Sequence, residues 1–307
     1  MVRIGLVGVG RWGRNYIRSI GEVDGAVLVV VASSNPETAA IVPPDCQVVS
    51  NWQDVLNADV DAVIIATPPD THLEILLAAV AAEKAVLVEK PLVTSVTGLA
   101  AVRNIATEAV VMVEHTHLFH PAFRALKAET VVRGPPLAIR SSAGNFGPYR
   151  RDVSVLWDWG PHDIAMALDL VPGPVEVNAA RVVERQYVDG VAAERVHLSL
   201  TLGEGVACKV ALSTLDARHR WFAVDYHNCT LIYSDREAQP LRLVGRPGAG
   251  SDDEGEGIPG PAGRPLTIAV SEFVAAVRGR KPPKENLALG CRVVDVILQC
   301  EQELTDE

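Results

Sequence analysis

The chain is predicted to combine an α/β part, a doubly wound parallel sheet, with an α+β part, a largely antiparallel open-faced sheet covered by helices. Three observations predict this. Over the first 120 residues, short β-branched runs alternate with helix-like stretches. A glycine-rich turn, Gly8-Val9-Gly10-Arg11-Trp12-Gly13, follows the first run. Beyond residue 137, apolar and polar residues alternate, as in "RVHLSLTL" (195–202).

The early runs are VRIGLV (2–7), AVLVVVA (26–32), DAVIIA (61–66), AVLV (85–88) and AVVMV (109–113). Near-continuous apolar strands need cover on both faces, which a parallel sheet with crossover helices provides. The stretches THLEILLAAVAA (71–82) and SVTGLAAVRNIA (95–106) are expected to be two of those helices. In the later half, Val196, Leu198, Leu200 and Leu202 fall on one face, and "VACKVALS", "WFAVDYH" and "CTLIYSD" follow closely. Period-two alternation marks strands with one face on helices and one toward water. Residues 245–265, rich in Gly, Pro and acid, are expected to form a mobile surface loop. "LTIAVSEFVAAVRGR" and "ENLALGCRVVDVILQCEQEL" follow as amphipathic helices expected to close the second part. A chain of 307 residues exceeds one ordinary core. The expected domains are 1–120, dinucleotide-binding, and 121–307, for substrate binding and oligomerisation.

Composition narrows the class. With 28 basic and 38 acidic residues the formal charge is −10, and no Lys/Arg cluster offsets it. Nucleic acid and anionic membranes are therefore not expected partners. No apolar run approaches the roughly 20 residues of a membrane span. The start "MVRIGLVGVG" lacks a basic region and a cleavage site, so a cytoplasmic location is expected. Cys46, Cys208, Cys229, Cys291 and Cys300 form no CxxC pair, which favours reduced thiols over disulfides or structural zinc.

GxGxxG between a strand and a helix binds dinucleotides. Its first glycine makes a tight turn, its second admits the pyrophosphate and its third lets helix and strand pack. Free N–H groups of the helix start then meet the phosphates. The second strand ends in Ser33-Ser34, where an NAD site usually places an acid on the ribose. Without that carboxylate the 2′-phosphate is not repelled, though no arginine in this turn attracts it. The expected cofactor is NAD(P), with a lean to NADP.

Two later segments sit at strand ends, where loops of open α/β sheets line the ligand crevice. They are Thr67-Pro68-Pro69-Asp70-Thr71-His72 and Glu89-Lys90-Pro91. Taken with GVGRWG, "EHTHLFHP", "DWGPHD" and "PLTIAVSEFVAAVRGRKPP", in this order, the chain resembles the Gfo/Idh/MocA family of oxidoreductases. The closest likeness is to members that oxidise or reduce sugar nucleotides. The resemblance implies that Lys90, Glu89, Thr67, Pro68 and His72 lie by the cofactor, with His72 mainly structural. It implies Lys90 beside the reacting hydroxyl, His162 as general acid/base and Asp158 as its companion.

Elementary chemistry agrees. Oxidising a secondary alcohol removes a proton as hydride leaves, and histidine titrates near neutral pH. In "VLWDWGPHD", Gly160-Pro161 is read as a helix entry with Asp158 beside its free N–H groups, and the helix dipole there disfavours cationic His162. Lysine stabilises developing negative charge on oxygen. His115 and His117 are placed on one strand face, with no metal expected and His117 as a substrate contact. Tyr149, Arg150 and Arg151 in "NFGPYRRD" either grip a diphosphate or form a solvated loop. Trp12 and Trp52 are read as packing. The expected activity is hydride transfer between nicotinamide and a ring CH–OH or C=O of a sugar, sugar nucleotide or cyclitol. A non-catalytic dinucleotide sensor, and a reductase of another carbonyl, imine or bilin, are the alternatives. His197, Ser199, Thr201 and Lys209 make a mild outer sheet face, from which a homodimer or a tetramer of dimers is expected.

Overall fold

The computed structural model describes residues 1–105 and 108–306. It divides into two compact units, 1–116 with 264–294 and 117–263 with 295–307. The first unit begins β1 (Val2–Val7), α1 (Gly13–Gly21), β2 (Ala26–Ala32), β3 (Gln47–Val49), α2 (Trp52–Asn57), β4 (Ala62–Ile65), α3 (His72–Ala81), β5 (Ala85–Glu89), α4 (Val96–Arg103) and β6 (Val111–Glu114). Its six strands are parallel in the order β3-β2-β1-β4-β5-β6. This is the doubly wound order, whose ligand crevice opens at the carboxyl ends of β1 and β4, the neighbours between which the strand order reverses. Every residue of β4 and β5 is buried, which is why those runs carry no polar alternation. The strand β3 and helix α2 escape a sequence reading, because three residues of QVV carry no period. The expected helix over 95–106 stops at Arg103, and residue 106 lies outside the described residues.

The second unit contains α5 (Pro121–Arg133), β7 (Ala138–Gly144), α6 (Val155–Leu170), β8 (Val175–Val188), β9 (Val191–Leu202), β10 (Val206–Ser213), β11 (His219–Asp225), β12 (Thr230–Tyr233), β13 (Leu241–Val244) and β14 (Glu256–Gly257). With a terminal strand these form a nine-stranded sheet. It is antiparallel except where β10 runs parallel to β7 and that terminal strand runs parallel to β8. The predicted alternation holds: Val196, Leu198, Leu200 and Leu202 are buried, whereas His197 and Lys209 are exposed. Helix α6 packs on β7, β9 and β10, and α5 on β12 and β13.

After these come α7 (Pro265–Gly279), α8 (Lys284–Gln302) and β15 (Leu304–Asp306). The sequence reading gave both helices to the second part, but α7 packs on α1 and β1 of the first unit. Its Thr267 hydroxyl donates to Glu22 at 2.9 Å, and Leu266, Val270, Phe273 and Val274 are buried. Periodicity announces an apolar helix face without naming the sheet that receives it. From α8, the Asn286 amide pairs with both the N–H and the C=O of Val113, at 2.7 and 3.2 Å, closing part of the edge of β6. The expected mobile loop at 245–265 is instead tied down. Arg140 donates to the Ala249 carbonyl at 2.6 Å, Gly250 N–H donates to Asp253 at 2.7 Å, and Glu256–Gly257 pair with β13. Polar side chains reaching the backbone do what a hydrophobic count cannot foresee. No helix among the described residues is long and apolar enough to cross a membrane.

Candidate active site

The glycine turn is built as its spacing requires. Gly8 has φ of +94°, and a Cβ there would lie 2.7 Å from the Ala66 carbonyl oxygen. A Cβ on Gly13 would lie 2.1 Å from the Gly8 carbonyl oxygen, so only glycine lets α1 start against the turn. Gly10 faces open space, with nothing within 4 Å of an added Cβ. The turn opens on a cleft of about 780 Å³ bordered by Gly8, Val9, Gly10, Arg11, Thr67 and Pro68, with Ser33 and Ser34 in its wall. That is the size of a cofactor pocket, and the open space at Gly10 is where a pyrophosphate needs room. The residues present therefore fit a dinucleotide.

Arg14, Asn35, Ser50 and Trp52 also line the cleft. The sequence reading found no arginine in the serine turn, and none is there. The positive charge comes from across the cleft, from Arg11 and the first turn of α1. Arg14 lies 3.8 Å from Glu37, a weak exposed pair. Ser33 is bonded to Thr38 at 2.7 Å, whereas Ser34 is exposed. Trp12 is 42% exposed and does not pack into a core as expected.

At the ends of β4 and β5, His72 is fully buried, its nitrogens 2.8 Å from the Pro91 carbonyl and 2.9 Å from the Thr67 carbonyl. It ties the threonine-proline turn to the lysine turn, and burial lowers its pKa. Its ring is therefore occupied by backbone. Lys90 is half-buried at the end of β5. Beside it, Glu89 accepts from Tyr16 Oη at 2.7 Å, and burial pushes its carboxyl up to about 7. His115 does not share a strand face with His117. The strand β6 ends at Glu114, and His117 sits in a short 3-10 turn, Thr116–Phe119. His115 is buried, and burial drives its imidazole down to about 3.

In the second unit, α6 begins at Val155 after Ser154, so "WGPHD" is not a helix start. Pro161 lies inside the helix, giving up the bond its N–H would have made to Trp157. Gly-Pro suggested an entry, yet packing on three strands carries the helix through it. The dipole at a helix N-terminus fades within one turn, so it acts on Asp158, in the first turn, and not on His162. Asp158 and His162 are four apart and share a face. The His162 ring stands edge-on to His117, centroids 5.1 Å apart, and His117 Nδ1 is 2.9 Å from Tyr233 Oη. Arg150 donates to Asp158 at 3.1 Å and pairs with Asp152, so it is not a merely solvated arginine. Arg151 donates to the Asp189 carbonyl at 2.9 Å, and Tyr149 is half-buried. Two features had no sequence signal. Tyr233 reaches His117 across 116 residues of chain. Buried Asp163 accepts from Arg220 at 2.8 Å, with that guanidinium 5.3 Å from the Trp159 ring.

Residues 2–117 match the Gfo/Idh/MocA family, described as an oxidoreductase family with an NAD-binding Rossmann fold. A protein of Magnetospirillum magnetotacticum MS-1, provisionally described as an oxidoreductase, shares 44% identity, covering 97% of this chain and 99% of its own, with a TM-score of 0.85. UDP-N-acetylglucosamine 3-dehydrogenase of Acidithiobacillus ferrooxidans is 28% identical over 97% of this chain and 96% of its own. KijD10, a 3-ketoreductase of Actinomadura kijaniata solved with NADP, is 20% identical with a TM-score of 0.84, covering 99% of this chain and 98% of its own; that likeness speaks for the fold alone. The chain belongs to the Gfo/Idh/MocA family. It is an NAD(P)-binding oxidoreductase.

Proposed function

We propose that the protein transfers a hydride between nicotinamide and a ring carbon of a sugar nucleotide, a sugar or a cyclitol. The observation that carries this reading is the glycine turn opening on a dinucleotide-sized cleft in the unit whose β5 leads directly into Lys90. Likeness to a UDP-N-acetylglucosamine 3-dehydrogenase along nearly the whole chain supports a sugar nucleotide first. The bound cofactor supplies the hydride acceptor or donor. Gly8 to Gly13 and the first N–H groups of α1 hold the pyrophosphate. Arg14 and Arg11, facing Ser33 and Ser34, favour a 2′-phosphate, so NADP is the preferred form.

Lys90 polarises the reacting oxygen, and His162 takes its proton in oxidation or returns it in reduction. Asp158, on the same face of α6, steadies the imidazolium. Tyr149 and Arg150 contact the substrate's polar groups. His117 also faces the substrate and, through its edge contact, orients the His162 ring. The first unit, which takes in 264–294 besides the expected N-terminal part, is assigned to the dinucleotide, and the second to substrate and oligomer. The outer face of the nine-stranded sheet, with His197 and Lys209 exposed, is assigned to a homodimer or a tetramer of dimers.

A panel of UDP- and TDP-sugars, free sugars and cyclitols, followed by nicotinamide absorbance in both directions, tests the activity. Turnover of a sugar nucleotide is expected. Cofactor binding without turnover on any member would favour a sensor instead. Light scattering tests assembly, where a mass near the single-chain 32.8 kDa would refute the dimer.

A further inference from the structure

Two buried carboxyls lie at the strand ends beside Lys90, and the proposed reaction gives them no task. Glu89 closes β5, Glu114 closes β6, and the two are register partners in the parallel ladder. Partners in such a ladder project to the same side of strands about 4.8 Å apart. Glu89 is 7% exposed and Glu114 is fully buried. Tyr16 Oη donates to Glu89 Oε1 at 2.7 Å, and Thr116 Oγ1 donates to Glu114 Oε2 at 2.5 Å. The remaining oxygen, Glu114 Oε1, is buried with no hydrogen-bond partner among the described residues.

We propose that Glu89 and Glu114 share one proton beside Lys90, and so act as positioning residues that fix its ammonium. The inference rests on the reading of Lys90 as the group that polarises the reacting oxygen. Two carboxylates in one dry site repel, and each also loses its water, so one of the pair retains a proton. With one proton on the pair, the three groups sum to zero charge: one carboxylate, one acid and one ammonium. Losing that proton leaves two carboxylates behind Lys90, drawing the ammonium toward the strands and away from a reacting oxygen.

Among the described residues, the neighbours that face the pair from adjoining elements are neutral. From the start of α1 come the Trp12 indole and Tyr16, whose phenol burial keeps neutral. Beyond β6 come Thr116 and His115, also held neutral by burial. From α3, His72 is held neutral likewise, and from α8 Asn286 contributes only its amide. Burial raises both carboxyls, and the Glu89 charge raises Glu114 further; the proton belongs to the pair and not to either member.

The test uses the full chain with lysines reductively methylated with a 13C label, the Lys90 signal being assigned by its loss in Lys90→Arg. In the wild type, the Lys90 methyl shift is expected to show a step near neutral pH besides the lysine's own titration. Glu114→Gln should remove that step or lower it by about one pH unit or more, because Glu89 then ionises without a like charge beside it. Tyr16→Phe should move the step upward, since the phenol's hydrogen bond favours the Glu89 carboxylate, and it keeps the test alive if Glu114→Gln fails to fold. A wild-type signal featureless through the neutral range, or a step indifferent to both variants, overturns the proposal. No substrate is needed, so failure here leaves the hydride-transfer reading standing, and failure of that reading leaves this titration readable.

Discussion

The two regions that carry the chemistry are built in opposite ways. In the first unit, the working groups sit on turns at strand ends, and their geometry is local: Gly8, Gly10 and Gly13 act through the backbone within six residues. In the second unit, they sit on the buried helix α6 and at His117 in the 3-10 turn, and their geometry comes from partners far away in sequence, Tyr233 for His117 and Arg220 for Asp163. A turn is specified by its own residues. A helix face is specified by what packs against it, so damage should be localised in the first region and spread in the second.

The largest effect is expected from the spread kind. Asp163→Ala leaves the Arg220 guanidinium, 6% exposed, without its carboxylate. Breaking such a pair costs about 3–5 kcal/mol, read from denaturant unfolding followed by tryptophan fluorescence beside Arg220. A loss below about 1 kcal/mol, the range of exposed pairs, would show that Asp163 does not anchor α6.

The glycine turn gives a sharper contrast. Gly13→Ala forces a Cβ onto the Gly8 carbonyl and should destabilise the fold by about 2–3 kcal/mol. Gly10→Ala meets no protein atom, so stability should hold while dinucleotide affinity falls. Unfolding curves and cofactor titration for both variants separate the two roles; equal behaviour would erase the distinction.

This contrast also explains what was legible in the sequence. The parallel sheet, the glycine cradle and the Lys90 strand end were readable because each rests on a local pattern. His72 was read as mainly structural, and its two carbonyl partners were not visible in the sequence. The helix start at "WGPHD" was misread because Gly160-Pro161 is an entry signal that tertiary packing overrode. Arg14 was missed because it reaches the serine turn from another element. The pairing of Glu114 with Glu89 had no sequence signal, since it is a property of strand register.

Arg14→Ala should weaken NADPH binding about tenfold, or about 1.4 kcal/mol, with little change for NADH. Isothermal titration decides this, and an equal loss for both cofactors would place Arg14 on the pyrophosphate instead. The smallest effect concerns pH. Burial raises Glu89 to about 7, so the folded state holds more protons than the unfolded chain between its ordinary value and neutrality. Stability from that acid is lost as pH rises through this window. The buried histidines act oppositely: His115 is lowered to about 3, so its contribution is lost as pH falls below the ordinary imidazole value. Glu114→Gln removes only the acid side. Its stability relative to the wild type should grow from about pH 5 to about pH 8 by about 1 kcal/mol, one pKa unit's worth, measured by urea unfolding. A difference that shrinks with rising pH would contradict buried, proton-holding carboxyls.

The most direct measurement is single-turnover hydride transfer, with a sugar nucleotide that the wild type turns over, for Lys90→Ala and His162→Ala beside cofactor affinity for each. Both variants should bind NADP(H) within a few-fold of the wild type. His162→Ala should lose about 10²–10⁴ in rate, the range of a missing acid/base, and Lys90→Ala about 10²–10³, the range of a missing oxygen-stabilising group. Near wild-type transfer in both, with cofactor bound, would contradict the assignment of the chemistry to these two residues.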